Sequence, residues 1–184
     1  MMGILEFDTL LFQWVNNDLT NPVFDWVLPI MRNKLTWIPV YIGIVAYIVR
    51  SKKRWLWMLL FLFIGVGISD YTSSSIIKKS VERVRPCNTE GLAVMERVHC
   101  GGGYSFTSSH AANHFFISCY LALVVFLTSR ARWMLMAWAG IVSISQVYVG
   151  VHYPLDVLSG GLLGAIIAYV MYLAYANVVK RKYA

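Results

Sequence analysis

Lys78, Arg85, His110, His152 and Asp156 are the residues of this chain best suited to do chemistry rather than packing. They fall in three stretches: Lys78 through Arg85-Pro86, the run Thr107-Ser108-Ser109-His110, and His152-Tyr153-Pro154-Leu155-Asp156. In phosphoryl transfer the transition state spreads negative charge over equatorial oxygens, and fixed cations and aimed N–H donors stabilise it. Arg offers a planar fork for two oxygens, while Lys acts as a point charge. Ser108-Ser109-His110 opens a long apolar segment after a glycine-rich approach, and the free N–H groups of a helix start favour anions. His110 adds an acid–base side chain. His152 and Asp156 stand four apart, so one helical turn puts them on the same face. A carboxylate that accepts one imidazole N–H leaves the other ring nitrogen free as nucleophile or base.

Each stretch also has a plainer explanation. Lys78, Lys79, Arg83 and Arg85 could anchor a helix end in lipid headgroups. Ser108 is an ordinary N-cap residue, and Asp156 could be another. His110 and His114, four apart, invite a metal reading. A hydrolytic zinc helix places Glu beside its first His, however, and here Ala111 stands there. His99 has no clear partner. What lifts the three stretches above these alternatives is their common position at one face of a membrane.

That membrane is implied by composition. Of the 184 residues, 58% are hydrophobic and 14% charged, against about a quarter charged in soluble domains. The formal net charge is +7, but its basic residues sit in short clusters between apolar runs and form no stripe for nucleic acid. The start of the chain has acids where a signal peptide has bases. Residues 1–34 read as an N-terminal amphipathic, interfacial segment, with a second short helix from Asn21-Pro22 to about Met31. Residues 35–184 read as the bundle, the whole making a single domain. Its apolar runs are Leu35–Val49, Trp55–Ser69 with a helical extension to about Lys79, Phe106–Thr128, Trp133–Gly150 and Leu155–Val179. Residues 82–105 form a polar loop with Gly101-Gly102-Gly103. The fold expected is all-α: a polytopic transmembrane helix bundle of about five spans plus the interfacial helix, or six spans if that segment crosses.

Charge sets the orientation. The turns at 50–54, 130–132 and 180–182 hold nine of the 16 basic residues and none of the nine acids. The positive-inside rule puts those turns and the C-terminus in the cytoplasm, so the loop after residue 70 faces outward. Cys87 and Cys100 share that loop and could form a disulfide there. Cys119 reads as a small core residue.

The three spaced stretches resemble the type-2 phosphatidic acid phosphatase superfamily of integral membrane lipid phosphatases. Lys78 to Arg85-Pro86 matches that family's Lys, six residues, Arg-Pro in full. Thr107-Ser108-Ser109-His110 keeps the Ser and His of Pro-Ser-Gly-His and departs at two positions. Ser145, His152 and Asp156 fit Ser-Arg, five residues, His, three residues, Asp, with Gln146 in the Arg position.

The resemblance implies a metal-independent hydrolase with no cofactor. His152 attacks phosphorus, Asp156 orients its ring, and His110 protonates the leaving oxygen. Lys78, Arg85, Ser108, Ser109 and Gln146 bind the substrate phosphate. Gln146 can donate hydrogen bonds but carries no charge, a loss of about 1.5–3 kcal/mol if nothing replaces it; Lys79 or Arg83 could supply the cation. The expected partners are a lipid phosphate and the surrounding membrane lipids; the oligomeric state is not legible. A bacterial inner membrane with the site facing the periplasm follows. Undecaprenyl diphosphate is the first substrate choice, as for carrier-lipid recycling in cell-wall synthesis, ahead of phosphatidylglycerophosphate and lipid A phosphates. A non-catalytic lipid-phosphate binder on the same scaffold is the competing class.

Overall fold

The computed structural model describes residues 3–126 and 128–183. The ends of the expected N-terminal and C-terminal segments (residues 1, 2 and 184) and Leu127 lie outside the described residues. Among the described residues the structure is helix and loop, with no strand.

Helix α1, Ile4–Gln13, runs into a widened π turn, Trp14–Asp18. Helix α2, Pro22–Arg32, starts where the Asn21 side chain accepts the Phe24 N–H, with Pro22 in the first turn, a position that needs no N–H donor. Helix α3 covers Ile38–Ser51. Its 14 residues span about 21 Å at the helical rise, short of the roughly 30 Å hydrocarbon core. Helix α4, Trp55–Tyr71, passes through a second π turn, Thr72–Ile77, into the short α5, Lys78–Val81. Such widened turns inside helices are frequent at functional positions. Helices α6, Ser109–Val124, and α7, Ser129–Tyr148, are capped by Ser108 and Thr128. Helix α8 is Pro154–Tyr183.

Trp55–Asn88 and Pro154–Val179 are long and apolar enough to cross a membrane by length and composition. Large apolar side chains point outward along several helices, among them Ile42, Phe63, Trp133, Met134, Leu158 and Leu162. An apolar exterior on this scale suits lipid better than water.

The pairing of α6 with α8 positions the site. Gly160 and Gly164 let the backbones meet: a Cβ on either would strike the carbonyl of Ser108 or Ala112. Small residues at such crossings permit close approach of membrane helices. The consequence is a fixed register between two helix starts. The Thr107 hydroxyl and the Ser108 N–H both donate to the Asp156 carbonyl, each at 2.9 Å.

The N-terminal segment differs from a helix resting on a bilayer surface. Leu5, Phe7 and Leu10 do face out, but Phe12 and Val15 join a buried cluster with Tyr148, Val151 and Tyr153. Two of its polar groups turn inward: Asp8 is 2% exposed and Asn16 is fully buried, while Glu6 and Asp18 stay exposed. Asn16 donates to the Tyr148 carbonyl at 2.8 Å and accepts the Met95 N–H at 2.8 Å. A buried polar group without partners costs more than the helix gains, so these contacts hold the segment in place.

Candidate active site

Helix α5 ends at Glu82, which takes a left-handed conformation (φ 53°) and donates its N–H to the Lys78 carbonyl. The chain then turns extended and carries Arg83 and Arg85 across the end of the bundle. A disulfide joins Cys87 to Cys100, tying the two limbs of this loop. The returning limb supplies carbonyls that fix the cations. Lys78 Nζ donates to the carbonyls of Tyr104 at 2.8 Å and Ser105 at 3.3 Å. Arg85 donates from Nε to Gly103 at 3.2 Å and from a terminal nitrogen to the Val151 carbonyl at 3.3 Å.

His152 lies in the turn between α7 and α8 and is 2% exposed. Its Nδ1 stands 3.5 Å from Asp156 Oδ2, beyond ordinary hydrogen-bond length, and has no hydrogen-bond partner among the described residues. Burial pushes the His152 pKa down to about 4; Lys78 and Arg85 push the same way, and Asp156 opposes them. The ring is therefore neutral at ordinary pH, with Nε2 left as a base.

Asp156 is itself over-determined. Oδ2 accepts the Tyr153 N–H at 2.8 Å, and Oδ1 accepts from Arg83 at 2.8 Å. Arg83 also reaches Asp8 Oδ2 at 2.6 Å and lies over the Tyr153 ring, 3.9 Å from its centroid. Asp8 accepts the Leu155 N–H at 2.9 Å through its other oxygen. Two buried carboxylates thus share one guanidinium, an arrangement that stands only when every member is satisfied. Asp8 is a residue that sequence reasoning missed. In the sequence it only interrupts an apolar run, and nothing local marks it as a partner for a residue 75 positions away.

Lys78, Arg85, Ser109, His110, Gln146 and His152 line one cavity of about 500 Å³, open to the outside. An apolar groove of about 420 Å³ adjoins it, lined in part by Ile44, Leu62, Val66 and Ile117, and shares Asp70, Ser109 and His110 with it. His110 therefore stands where polar cavity and apolar groove meet. Ser108 is different: it is fully buried beside the cavity, its Oγ facing the Ala111 N–H at 3.4 Å and its own N–H taken by Asp156. Its side chain serves the helix start, not the cavity. Arg83, one of two cations expected to offset Gln146, is bound to Asp8 and Asp156 and is no free replacement. Lys79 lines the cavity rim. His114 is occupied on both ring nitrogens, by Tyr41 Oη at 3.2 Å and the His110 carbonyl at 2.8 Å, so it offers no open ligand beside His110.

Two paired cations, a helix start and two imidazoles around a cavity that opens onto an apolar groove define a class: membrane proteins that handle a phosphate attached to a lipid. The family profile of the PAP2 superfamily matches residues 54–180, and the chain belongs to that superfamily. It is 28% identical over 177 residues to a lipid A 4'-phosphatase of Bacteroides thetaiotaomicron, covering 91% of this chain and 76% of the relative. An undecaprenyl-diphosphatase of Sulfolobus acidocaldarius is 28% identical over 137 residues, covering 73% of this chain and 61% of that protein. The crystal structure of Aquifex aeolicus LpxE superposes with a TM-score of 0.68 at 21% identity, covering 88% of this chain and 92% of that one. At that identity the likeness speaks for the fold alone.

Proposed function

We propose that this protein is an integral membrane phosphatase that removes phosphate from a lipid phosphate monoester, with lipid A phosphate the first substrate class. Membership of the PAP2 superfamily supports phosphoester hydrolysis. The single observation that carries the reaction is the cavity that gathers Lys78, Arg85, His110 and His152 beside an apolar groove.

In the proposed reaction Lys78, Arg85, the Ser109 N–H and Gln146 hold the phosphate oxygens. His152 Nε2 attacks phosphorus as the ester P–O bond breaks, and His110 gives a proton to the departing lipid oxygen. Water then attacks the phosphohistidine, His110 takes the water's proton, and inorganic phosphate leaves. Asp156, held by Arg83 and the Tyr153 N–H, fixes the ring and balances the charge His152 gains. The lipid tail lies in the groove between α3, α4 and α6. None of these steps is routed through a metal ion.

The site faces the exterior in this reading, with the C-terminus in the cytoplasm and about five spans. The Cys87–Cys100 disulfide supports that side, since such bonds persist outside the cytoplasm. The whole chain works as one unit, with residues 1–34 part of the site's support.

Lipid A phosphate is preferred over undecaprenyl diphosphate because the similarity to a lipid A 4'-phosphatase runs over more of the chain than that to an undecaprenyl-diphosphatase. Phosphatidylglycerophosphate and undecaprenyl diphosphate are the comparison substrates. Phosphate release by purified protein on these three, with His152→Ala as control, is the test. The expected order puts lipid A phosphate first and His152→Ala at background. Faster release from undecaprenyl diphosphate would reverse the substrate choice; equal release by wild type and His152→Ala would remove His152 from the chemistry.

A further inference from the structure

Gln146 leaves the phosphate cavity one cation short of the pattern the family resemblance implies. The amide is fully buried on α7, and neither its Nε2 nor its Oε1 has a hydrogen-bond partner. Unpaired amides at such depth are rare, because each costs a desolvation penalty that nothing returns. A second unpaired group lines the same cavity from another element: Arg32, at the last turn of α2, has a buried Nε with no partner. Ser109 Oγ, also on the cavity wall, is the third. With His152 Nδ1, likewise unpaired on this wall, four residues hold orphaned polar groups around one polar space and mark the place of a ligand that accepts hydrogen bonds.

We propose that Arg32 is a substrate-phosphate-binding residue that supplies, from outside the matched family region, the positive charge which Gln146 lacks. This rests on the phosphatase reading above. The placement of Arg32 is built, since its helix is clamped to the same end of α7 that carries Gln146. Asp25 pairs with Arg97, whose guanidinium lies 4.0 Å over the Tyr148 ring and donates to the Tyr148 carbonyl at 2.8 Å. The Tyr148 hydroxyl donates to Asp25 at 2.7 Å. Asp25 and Arg32 are seven positions apart, two helical turns on one face, so the face that grips Tyr148 also carries Arg32. Beyond Arg32 the turn is pinned as well: Thr36 Oγ1 donates to the Ile30 carbonyl at 2.9 Å and Trp37 Nε1 to the Met31 carbonyl at 2.7 Å.

Charge favours the same assignment. Burial, and then the neighbouring Arg85, disfavour the charged form of Arg32. Arg32, Lys78 and Arg85 share the cavity wall with a single carboxylate, Asp70, and Asp70 already accepts from Asn113 at 2.9 Å. A dianionic phosphate relieves that excess of positive charge. Lys79, which also lines the cavity, is exposed, and its flexible stem and point charge suit the rim better than a fixed oxygen contact.

The test compares wild type, Arg32→Ala, Arg32→Lys and the double variant Arg32→Ala/Gln146→Arg. Calorimetry reads the affinity for inorganic phosphate, phosphate-release kinetics give kcat/KM, and thermal unfolding confirms that each protein is folded. Arg32→Ala is expected to weaken phosphate binding and kcat/KM by about 10- to 100-fold, the scale of one charge-assisted hydrogen bond, with the unfolding temperature preserved. Arg32→Lys should fall between, and Gln146→Arg should restore affinity in the Ala background. Unchanged phosphate affinity in Arg32→Ala overturns the assignment, as does a loss shown to be unfolding. Because the calorimetric arm needs no turnover, it stands even if wild type and His152→Ala prove equally inert, which would defeat the phosphatase reading instead.

Discussion

The helices within residues 54–180 and helices α1 and α2 ahead of them contribute to the same site by different physical routes. The matched region supplies His110, His152, Lys78 and Arg85 from helix ends and turns, where spacing along the chain governs which side chains meet. The N-terminal helices supply Asp8 and Arg32 from helix faces, where only packing against α7 and α8 decides the meeting. Asp8 reaches Arg83 and Leu155, and Arg32 lines the cavity that Gln146 also lines. Cavity groups at helix ends and turns come in recognisable spacings, then, while those brought in from helix faces need not. A missing residue in a motif can be offset by an element that carries no motif at all.

The sharpest way to separate the two regions is to remove one residue from each. His152→Ala should cost about 10,000-fold or more in kcat, as loss of a nucleophile does elsewhere. A residual rate within tenfold of wild type would show that His152 is not the nucleophile. Asp8→Ala should act mainly on stability, leaving Arg83 with one carboxylate and the Leu155 N–H without an acceptor. A loss of about 1–3 kcal/mol is expected for partly unsatisfied, charge-assisted bonds, below the full cost of an isolated buried charge because Arg83 is 18% exposed and keeps Asp156. Chemical or thermal unfolding in detergent reads this directly. An unchanged midpoint would mean that the N-terminal helix does not support the site.

A pH profile tests the matched region alone. Protonation silences a histidine nucleophile, and the pKa of His152 is held down to about 4 by burial against about 6.5 for a free imidazole. The acid limb of kcat/KM attributable to His152 should therefore lie well below pH 6.5, with the neutral ring persisting as pH falls through that value. A limb centred at 6.5 or above would place His152 in a wetter setting than the fold provides. Smallest of all is the expected effect of Gln146→Arg in the wild-type background: with Arg32 already present, turnover should change by no more than a few-fold. A large gain would mean that no other residue offsets Gln146.

Much of this was legible in the sequence because it is local. Apolar runs, caps and basic turns placed the helices, and the Lys78–Arg85, Ser108–His110 and His152–Asp156 spacings pointed to Lys78, Arg85, Ser109, His110 and His152, which line the cavity together with residues no spacing marked. Four things were not legible. Ser108 has the right type and position for phosphate, yet its Oγ serves the helix start, a choice set by the α6–α8 register. Arg83 looked available as a cation because its two carboxylate partners are 75 and 73 residues away. Arg32 drew no attention because its meaning depends on α2 docking against α7 through Asp25, Tyr148 and Arg97, a contact with no periodic pattern. The inward turn of Asp8 and Asn16 was hidden for the same reason: an amphipathic pattern in lipid can face its polar side towards protein.

The reaction turns on whether phosphate passes through the imidazole of His152. Single-turnover reaction with a radiolabelled lipid phosphate, quenched in alkali where a phosphoramidate bond survives, reads this directly by peptide mapping. Label on the peptide that carries His152, enriched in His110→Ala and absent from His152→Ala, is the expected result. Full product release with no protein-bound phosphate at any time, or label that persists in His152→Ala, would contradict it.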